Sequence, residues 1–384
     1  MRIGIIGGGV YGSSIAYFLS KFEEDVVLFE KNDLGGISTS KSAGIVRHHY
    51  SNRQHIEVMS RGREILEDLE DHVGRSGGFH QNGYLGVVGP EHEETLREIV
   101  DIQRDIGLDV ELVEPDEMSE YLPGIDTTDI SIGSYESQAG FADPYQVATG
   151  FAKKAGELGA EIHGNTQVTG IEHDDGTVSA VKTESERHDV DYVVNAGGPY
   201  GHEVADMVGL DVPLTWYEVK IAVLTADRSY GSDRPTLSDM GKAFYTKPEQ
   251  GGEFLIGGFN DPEMDEPDGQ YETVTTEDLN KITEFLEYRL PGYADAKLVN
   301  TWSGIITASP DWHQIIGVPD GYDNFYNVIA GSGHGFKEAA GFAESIAQEI
   351  AGEQPRYDLS PYRYERFETG DQIQGRYDSA GWFA

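Results

Sequence analysis

The 384-residue sequence has no cysteine. Disulfides, thiolate metal sites, thiol nucleophiles and attachment of a prosthetic group through sulfur are therefore excluded. Basic residues are few: 28 Lys and Arg face 68 Asp and Glu, for a formal net charge of −40. No basic stripe remains to neutralise phosphates, which disfavours a nucleic-acid partner. Lysine is scarce and the acids are spread along the chain rather than gathered in a tail. That pattern reads as a solvated surface adapted to strong salt, where screening removes self-repulsion, ahead of a surface that attracts a cationic partner. There is no run of about 18 apolar residues, so no membrane span is expected. Met1-Arg2-Ile3 enters the first strand at once, so no leader is expected and the cytoplasm is the expected compartment. The histidines show no metal-ligand spacing, and no metal is expected.

Glycine is abundant, at 48 residues. That suits a loop-rich α/β chain whose backbone approaches a ligand closely. Ile3 to Ile6 reads as a strand, and Val10, Ile15, Ala16 and Leu19 recur at helical spacing. Val26 to Phe29 reads as a second strand, closed by Glu30. Helices are expected over His55–His72, Glu93–Ile106, from the start at Gly140-Phe141-Ala142-Asp143-Pro144 through Leu158 to Gly159, and over Thr276–Leu290. Strands are expected at Asn82–Val88, Glu161–His163, Gln167–Ile171, Tyr192–Asn195 and Phe325–Ala330. Leu112 to Pro115 opens a stretch read as irregular. Asp174-Asp175-Gly176 is a hairpin signal. Residues from about Leu214 to Gly258 alternate like a sheet. A final helix with Ala339, Ala343, Ile346 and Ile350 stops at Gly352.

The first chemical motif is Gly7-x-Gly9-x-x-Gly12 followed by Glu30. Gly7 permits a tight turn, Gly9 lets the backbone approach a pyrophosphate, and Gly12 lets helix pack on strand. The helix N-terminus favours phosphate, and Glu30 can accept ribose hydroxyls. Gly7, Gly9, Val10, Gly12, Glu30 and Lys31 are the expected contacts of a dinucleotide. Downstream lies Gly35-Gly36-Ile37-Ser38-Thr39-Ser40-Lys41-Ser42-Ala43-Gly44-Ile45-Val46-Arg47, and near the end Gly331-Ser332-Gly333-His334-Gly335-Phe336-Lys337. Between them stand Gly140-x-x-Asp143-Pro144, Val168 and Asn195-Ala196-Gly197-Gly198.

With these segments the chain resembles the D-amino-acid oxidase and sarcosine oxidase superfamily, nearest its sarcosine oxidase and dimethylglycine dehydrogenase branch, over residues 1 to about 367. The resemblance implies an FAD enzyme. Its fold would be a Rossmann-like FAD-binding domain (1–80, 138–213 and 318–367) with an inserted mixed-sheet α+β substrate domain (81–137 and 214–317), and a tail from 368 to 384. It places Ser38, Ser40, Ala43, Gly44, Val168, Ala196, Gly197, Gly333, His334, Gly335, Phe336 and Lys337 around the cofactor. It gives Arg47 and Lys337 the role of binding a substrate carboxylate, a pairing that suits one anion. Tyr245 matches an aromatic over the pocket, or is a packed sheet tyrosine. His48 and His49 are candidates to orient or deprotonate an amine, or are structural.

Departures from the family also carry information. The covalent cysteine of the monomeric oxidases maps to Gly304, and the covalent histidine of the related dehydrogenases maps near Lys41, so the FAD is expected to be non-covalent. The oxygen-activating lysine falls near Leu255 and the pocket histidine near Phe259, which points to an electron acceptor other than oxygen. The expected reaction is oxidation of the C–N bond of a small carboxylate-bearing amine such as sarcosine or dimethylglycine, with hydrolysis of the imine by water. Rival readings are a 2-hydroxy-acid or polyol dehydrogenase on the same scaffold, a non-catalytic electron-relay subunit of a larger complex, and an NAD-dependent enzyme.

Overall fold

A computed structural model describes residues 1–258, 263–267 and 274–377. The apolar runs Val26-Val27-Leu28-Phe29 and Phe325–Ile329 are buried on both faces, as strands of a covered parallel sheet must be. They belong to a six-stranded sheet in the order Ile315–Gly317, Phe325–Ile329, Tyr192–Asn195, Arg2–Ile6, Asp25–Phe29, Glu161–His163. Every neighbouring pair is parallel except Ile315–Gly317 with Phe325–Ile329. Alternate side chains take opposite faces. Val26 and Leu28 join the core beneath the helices, whereas Val27 and Phe29 join a second core with Val178, Val181 and Val193.

On the first face the Val10–Lys21 helix packs against Pro144–Glu157 and Gly335–Ile350, and Arg53–Glu67 packs on Gly335–Ile350. That last contact is unusually close. A Cβ on Gly341 would lie 2.3 Å from the Val58 carbonyl oxygen, and one on Gly62 would lie 2.3 Å from that of Lys337. Only glycine permits this approach, and it fixes the start of the helix that carries Lys337. Asp143 caps the Pro144–Glu157 helix by accepting from the backbone N–H groups of Tyr145 and Gln146. On the second face lies a three-stranded antiparallel sheet, Val168–Asp174, Thr177–Thr183 and Arg187–Asp189. Its first hairpin turns at Asp175 and Gly176 with φ of 46° and 84°, both positive as a type I′ turn requires.

The second large unit is a nine-stranded mixed sheet. Thr215–Thr225 pairs with Lys297–Ala308, Glu263–Met264 and Phe254–Gly257, and the sheet continues through Phe244–Pro248, Thr236–Asp239, Tyr84–Val88, Ile132–Glu136 and Val110–Val113. Tyr84–Val88 is parallel to Thr236–Asp239 and antiparallel to Ile132–Glu136. The outer face is covered by the Thr276–Arg289 helix, whose start is closed by a reciprocal Thr275–Asp278 capping box. Its Ile282, Phe285 and Leu286 pack with Ala222, Leu224 and Ile256.

The stretch read as irregular after Leu112 thus contains two strands, Val110–Val113 and Ile132–Glu136. Both depend on pairing with distant partners, which local pattern does not reveal. The helix expected over His55–His72 breaks at Asp68 into Arg53–Glu67 and Leu69–Val73. No helix among the described residues is long and apolar enough to cross a membrane. The architecture is α/β, a Rossmann-like unit carrying a mixed-sheet unit.

Candidate functional site

The end of the Arg2–Ile6 strand and the start of the Val10–Lys21 helix open onto a cavity that also meets the mixed sheet. It encloses about 1810 Å³ of empty space, part of it open to solvent. Gly7, Gly9, Val10 and Glu30 line one end. Gly12 lies behind them: a Cβ there would stand 1.9 Å from the Gly7 carbonyl oxygen, so the helix start can press on the turn only as glycine. Both Glu30 oxygens accept from backbone, Oε2 from Gly8 N–H at 2.7 Å and Oε1 from Asn32 N–H at 2.8 Å. The Glu30 carboxylate is thereby held rigidly at the cavity wall. Thr39, within the second motif, accepts the Val10 N–H at 3.1 Å and ties that loop to the helix start.

Ser38, Ala43 and Gly44 also line the cavity, as do Ala196 and Gly197, whose backbone lies against Gly7. Small side chains here leave room for a bulky planar ring against the backbone. Three expected contacts lie elsewhere. Ser40 is exposed and donates to the Ile37 carbonyl at 3.2 Å. Lys31 sits over the Tyr200 ring, 3.0 Å from its centre. Val168 is buried on the far face of the parallel sheet with Ile6 and Phe29. The contact expected of Val168 is through its backbone, which the burial of its side chain leaves open.

The far end of the cavity is built by the loop that follows Phe325–Ile329. Ala330 and Ser332 have φ of 62° and 47°, which is costly for residues with a Cβ. The loop carries Gly333, His334, Gly335, Phe336 and Lys337 to the cavity wall. The Gly335–Ile350 helix starts there, so its positive end faces the cavity. Arg47 lines the same wall from the other end of the chain. Its guanidinium lies over Tyr50 and Tyr84, 4.9 and 5.7 Å from the ring centres, and donates to the His49 carbonyl. Burial, reinforced by the charge of Arg47, pulls the Lys337 pKa down to about 7.

The mixed sheet supplies the roof. Tyr245 lines the cavity beside its cross-strand neighbour Ser238, and Tyr84 lines it beside its own neighbour Thr236 in the same sheet. Tyr84, Thr236 and Ser238 carried no sequence signal beyond a strand pattern. His49 is a correction: it does not line the cavity. Its Nε2 meets the Tyr377 hydroxyl at 2.9 Å, and burial lowers its pKa to about 3, which leaves no usable base. His48 also turns away. Its backbone N–H and Nδ1 both meet Glu136 Oε2, at 2.7 and 3.1 Å. Burial alone would raise Glu136, but the hydrogen bonds and electrostatic attraction of His48 and His49 together outweigh it and hold the carboxyl low.

Gly304 and Lys41 both line the cavity, and a Cβ on Gly304 would stand 2.9 Å from the Lys41 Cβ. Leu255 is buried in a cluster with Ile221 and Tyr245 and is not a lining residue. Phe259 lies outside the described residues. One group among the described residues, His55, His334 and Glu338, brings potential metal ligands within 4.8 Å of one another. His55 Nε2 and Glu338 Oε1 already meet at 2.6 Å, so this buried group reads as a hydrogen-bonded brace under the loop.

Residues 2–349 match the family described as DAO, FAD dependent oxidoreductase. The chain belongs to the DAO family of FAD-dependent oxidoreductases. This DAO-family chain is 28% identical to rat mitochondrial dimethylglycine dehydrogenase over 97% of its own length and 46% of the relative's. It therefore spans under half the length of that relative. It is 27% identical to the sarcosine oxidase subunit beta of an Arthrobacter species, over 96% of the chain and 91% of the subunit. Among solved structures, L-proline dehydrogenase from P. horikoshii superposes with a TM-score of 0.89 at 27% identity, covering 97% of this chain and 99% of that one. The long cavity with its glycine-lined end and small-residue middle fits the FAD that the family uses.

Proposed function

We propose that the chain oxidises the C–N bond of a small amino acid with a secondary or N-methylated nitrogen, giving an imine that water hydrolyses. The observation that carries this reading is the placement of Arg47 and Lys337, both buried, in the wall of the cavity that begins at the dinucleotide motif. FAD, when bound, supplies the two-electron acceptor. Arg47 presents a planar fork suited to a carboxylate, and Lys337 adds a second charge from the same wall. Lys337 takes up a proton when an anion arrives, because the anion repays the cost of burying its charge. Tyr84 and Tyr245 close the apolar roof and exclude water around the substrate amine. The start of the Gly335–Ile350 helix favours negative charge at the ring's edge.

The names of the relatives support this substrate class. Dimethylglycine, sarcosine and L-proline share a nitrogen carrying a carbon beyond the α-carbon, and the L-proline dehydrogenase likeness brings a cyclic secondary amine into the panel. Gly304 and Lys41 offer neither cysteine nor histidine for a tether, so we read the FAD as non-covalent. Leu255 carries no charge, and its cross-strand neighbour Lys247 is tied to Glu249 at 2.8 Å. That supports an acceptor other than oxygen. The spread of acidic residues supports work in strong salt, and the cytoplasm is the compartment we assign.

The test is turnover with an artificial dye in molar salt, across sarcosine, dimethylglycine, L-proline and 2-hydroxy acids. Arg47→Ala and Lys337→Ala are run alongside. Each is expected to raise KM by roughly tenfold or more. Turnover of hydroxy acids alone, or variants with unchanged KM, would overturn the reading.

A further inference from the structure

The last described residues run back across the molecule to the segment that carries Arg47. The Ile373 N–H donates to Asp311 Oδ2 at 3.1 Å. Arg376 donates its backbone N–H to Ser51 Oγ at 3.0 Å and its Nε–H to the Ser51 carbonyl at 2.8 Å, and it pairs with Glu98. Tyr377 then enters the interior. It is 7% exposed and packs with Val88, Ile132 and Met240. Its hydroxyl lies 2.9 Å from His49 Nε2, and the two rings stack with centres 5.7 Å apart and planes at 24°. The His49 carbonyl in turn accepts the Arg47 guanidinium.

Resting on the reading of Arg47 as a carboxylate ligand, we propose that segment 373–377 is a strap that fixes the Arg47 guanidinium. Tyr377 is then a positioning residue acting through His49. Two observations separate this from plain core packing. Phenylalanine would fill the same apolar space, yet the hydroxyl is spent on a residue whose main chain accepts from the guanidinium. The strap also grips the Arg47 segment a second time, at Ser51, by two hydrogen bonds from Arg376. A guanidinium already held in place loses less freedom on binding a planar anion. His49 is neutral near pH 7, because burial and the charge of Arg47 lower its pKa, so it does not repel the cation it supports.

The experiment uses the full chain loaded with FAD, in molar salt. Acetate, a carboxylate without an amine, is titrated against the visible flavin spectrum, and KM and kcat are measured with sarcosine. Tyr377→Phe, Arg47→Ala and the double variant are compared with the parent. Tyr377→Phe is expected to weaken acetate and raise KM by about three- to tenfold, the worth of one net hydrogen bond. Its kcat and melting temperature stay near those of the parent. Arg47→Ala weakens acetate further, and adding Tyr377→Phe to it costs nothing more, because the strap acts only through Arg47. The strap is overturned if Tyr377→Phe binds acetate as the parent does while Arg47→Ala loses it, or if the two losses simply add. If Arg47→Ala itself binds acetate normally, the carboxylate reading fails and takes the strap with it.

Discussion

The guanidinium of Arg47 and the ammonium of Lys337 both lie over the Tyr50 ring, 4.9 and 5.9 Å from its centre. One cation comes from the early loop and the other from the first turn of the last long helix. Burial and then the Arg47 charge hold the Lys337 pKa near 7.

Carboxylate affinity should therefore depend on pH. Above about pH 7 the empty site releases the Lys337 proton, whereas the anion-bound site retains it. Binding then requires proton uptake, so affinity falls as pH rises from about 7 toward 10. Acetate titrations from pH 6 to 9 measure this. Lys337→Met is expected to bind more weakly at pH 6 and to lose the slope.

Acid stability follows from two other buried groups. Burial lowers the pKa of His49 to about 3 and that of His313 to about 4, from the ordinary imidazole value of 6.5. Between pH 6.5 and those values the unfolded chain binds protons that the native chain refuses. Stability is thus full above pH 6.5 and is lost as pH falls through that window. Urea melts at pH 7 and pH 5 give the difference, and His49→Gln should shrink it.

Gly304 and Lys41 predict how the cofactor is held. Gly304 and Lys41, at and near which the family resemblance implies covalent ligands, adjoin each other here, and neither has a nucleophilic sulfur or imidazole. Acid precipitation should leave all the yellow colour in the supernatant. Colour that stays with the pellet means a covalent bond at another residue.

The dinucleotide end of the site was legible because its constraints are local. Gly7, Gly9, Gly12 and Glu30 sit within one strand–turn–helix–strand unit, and their spacing alone implies the turn. Gly12→Ala, whose Cβ meets the Gly7 carbonyl oxygen at 1.9 Å, should abolish retention of FAD on purification. Arg47 and Lys337 were found through family likeness and not through pattern, since only the fold brings them together. The choice between the two readings of His49 is not legible in sequence, because its ring direction depends on Tyr377, far along the chain in a tail with no pattern of its own. Tyr84 and Ser238 looked like ordinary strand residues, because cavity-facing and core-facing positions alternate identically. The Ile132–Glu136 strand was missed for a similar reason: its partners are set by the sheet.

The central claim, that this cavity oxidises an amine held by its carboxylate, is tested most directly by anaerobic mixing with the FAD-loaded protein in molar salt. Sarcosine, dimethylglycine and L-proline are compared with their hydroxy-acid counterparts and with dimethylamine, which lacks the carboxylate. The account predicts bleaching of the flavin by at least one of the N-alkylated amino acids and by none of the others. A protein that takes up no FAD, or one bleached by hydroxy acids and not by amines, would contradict it.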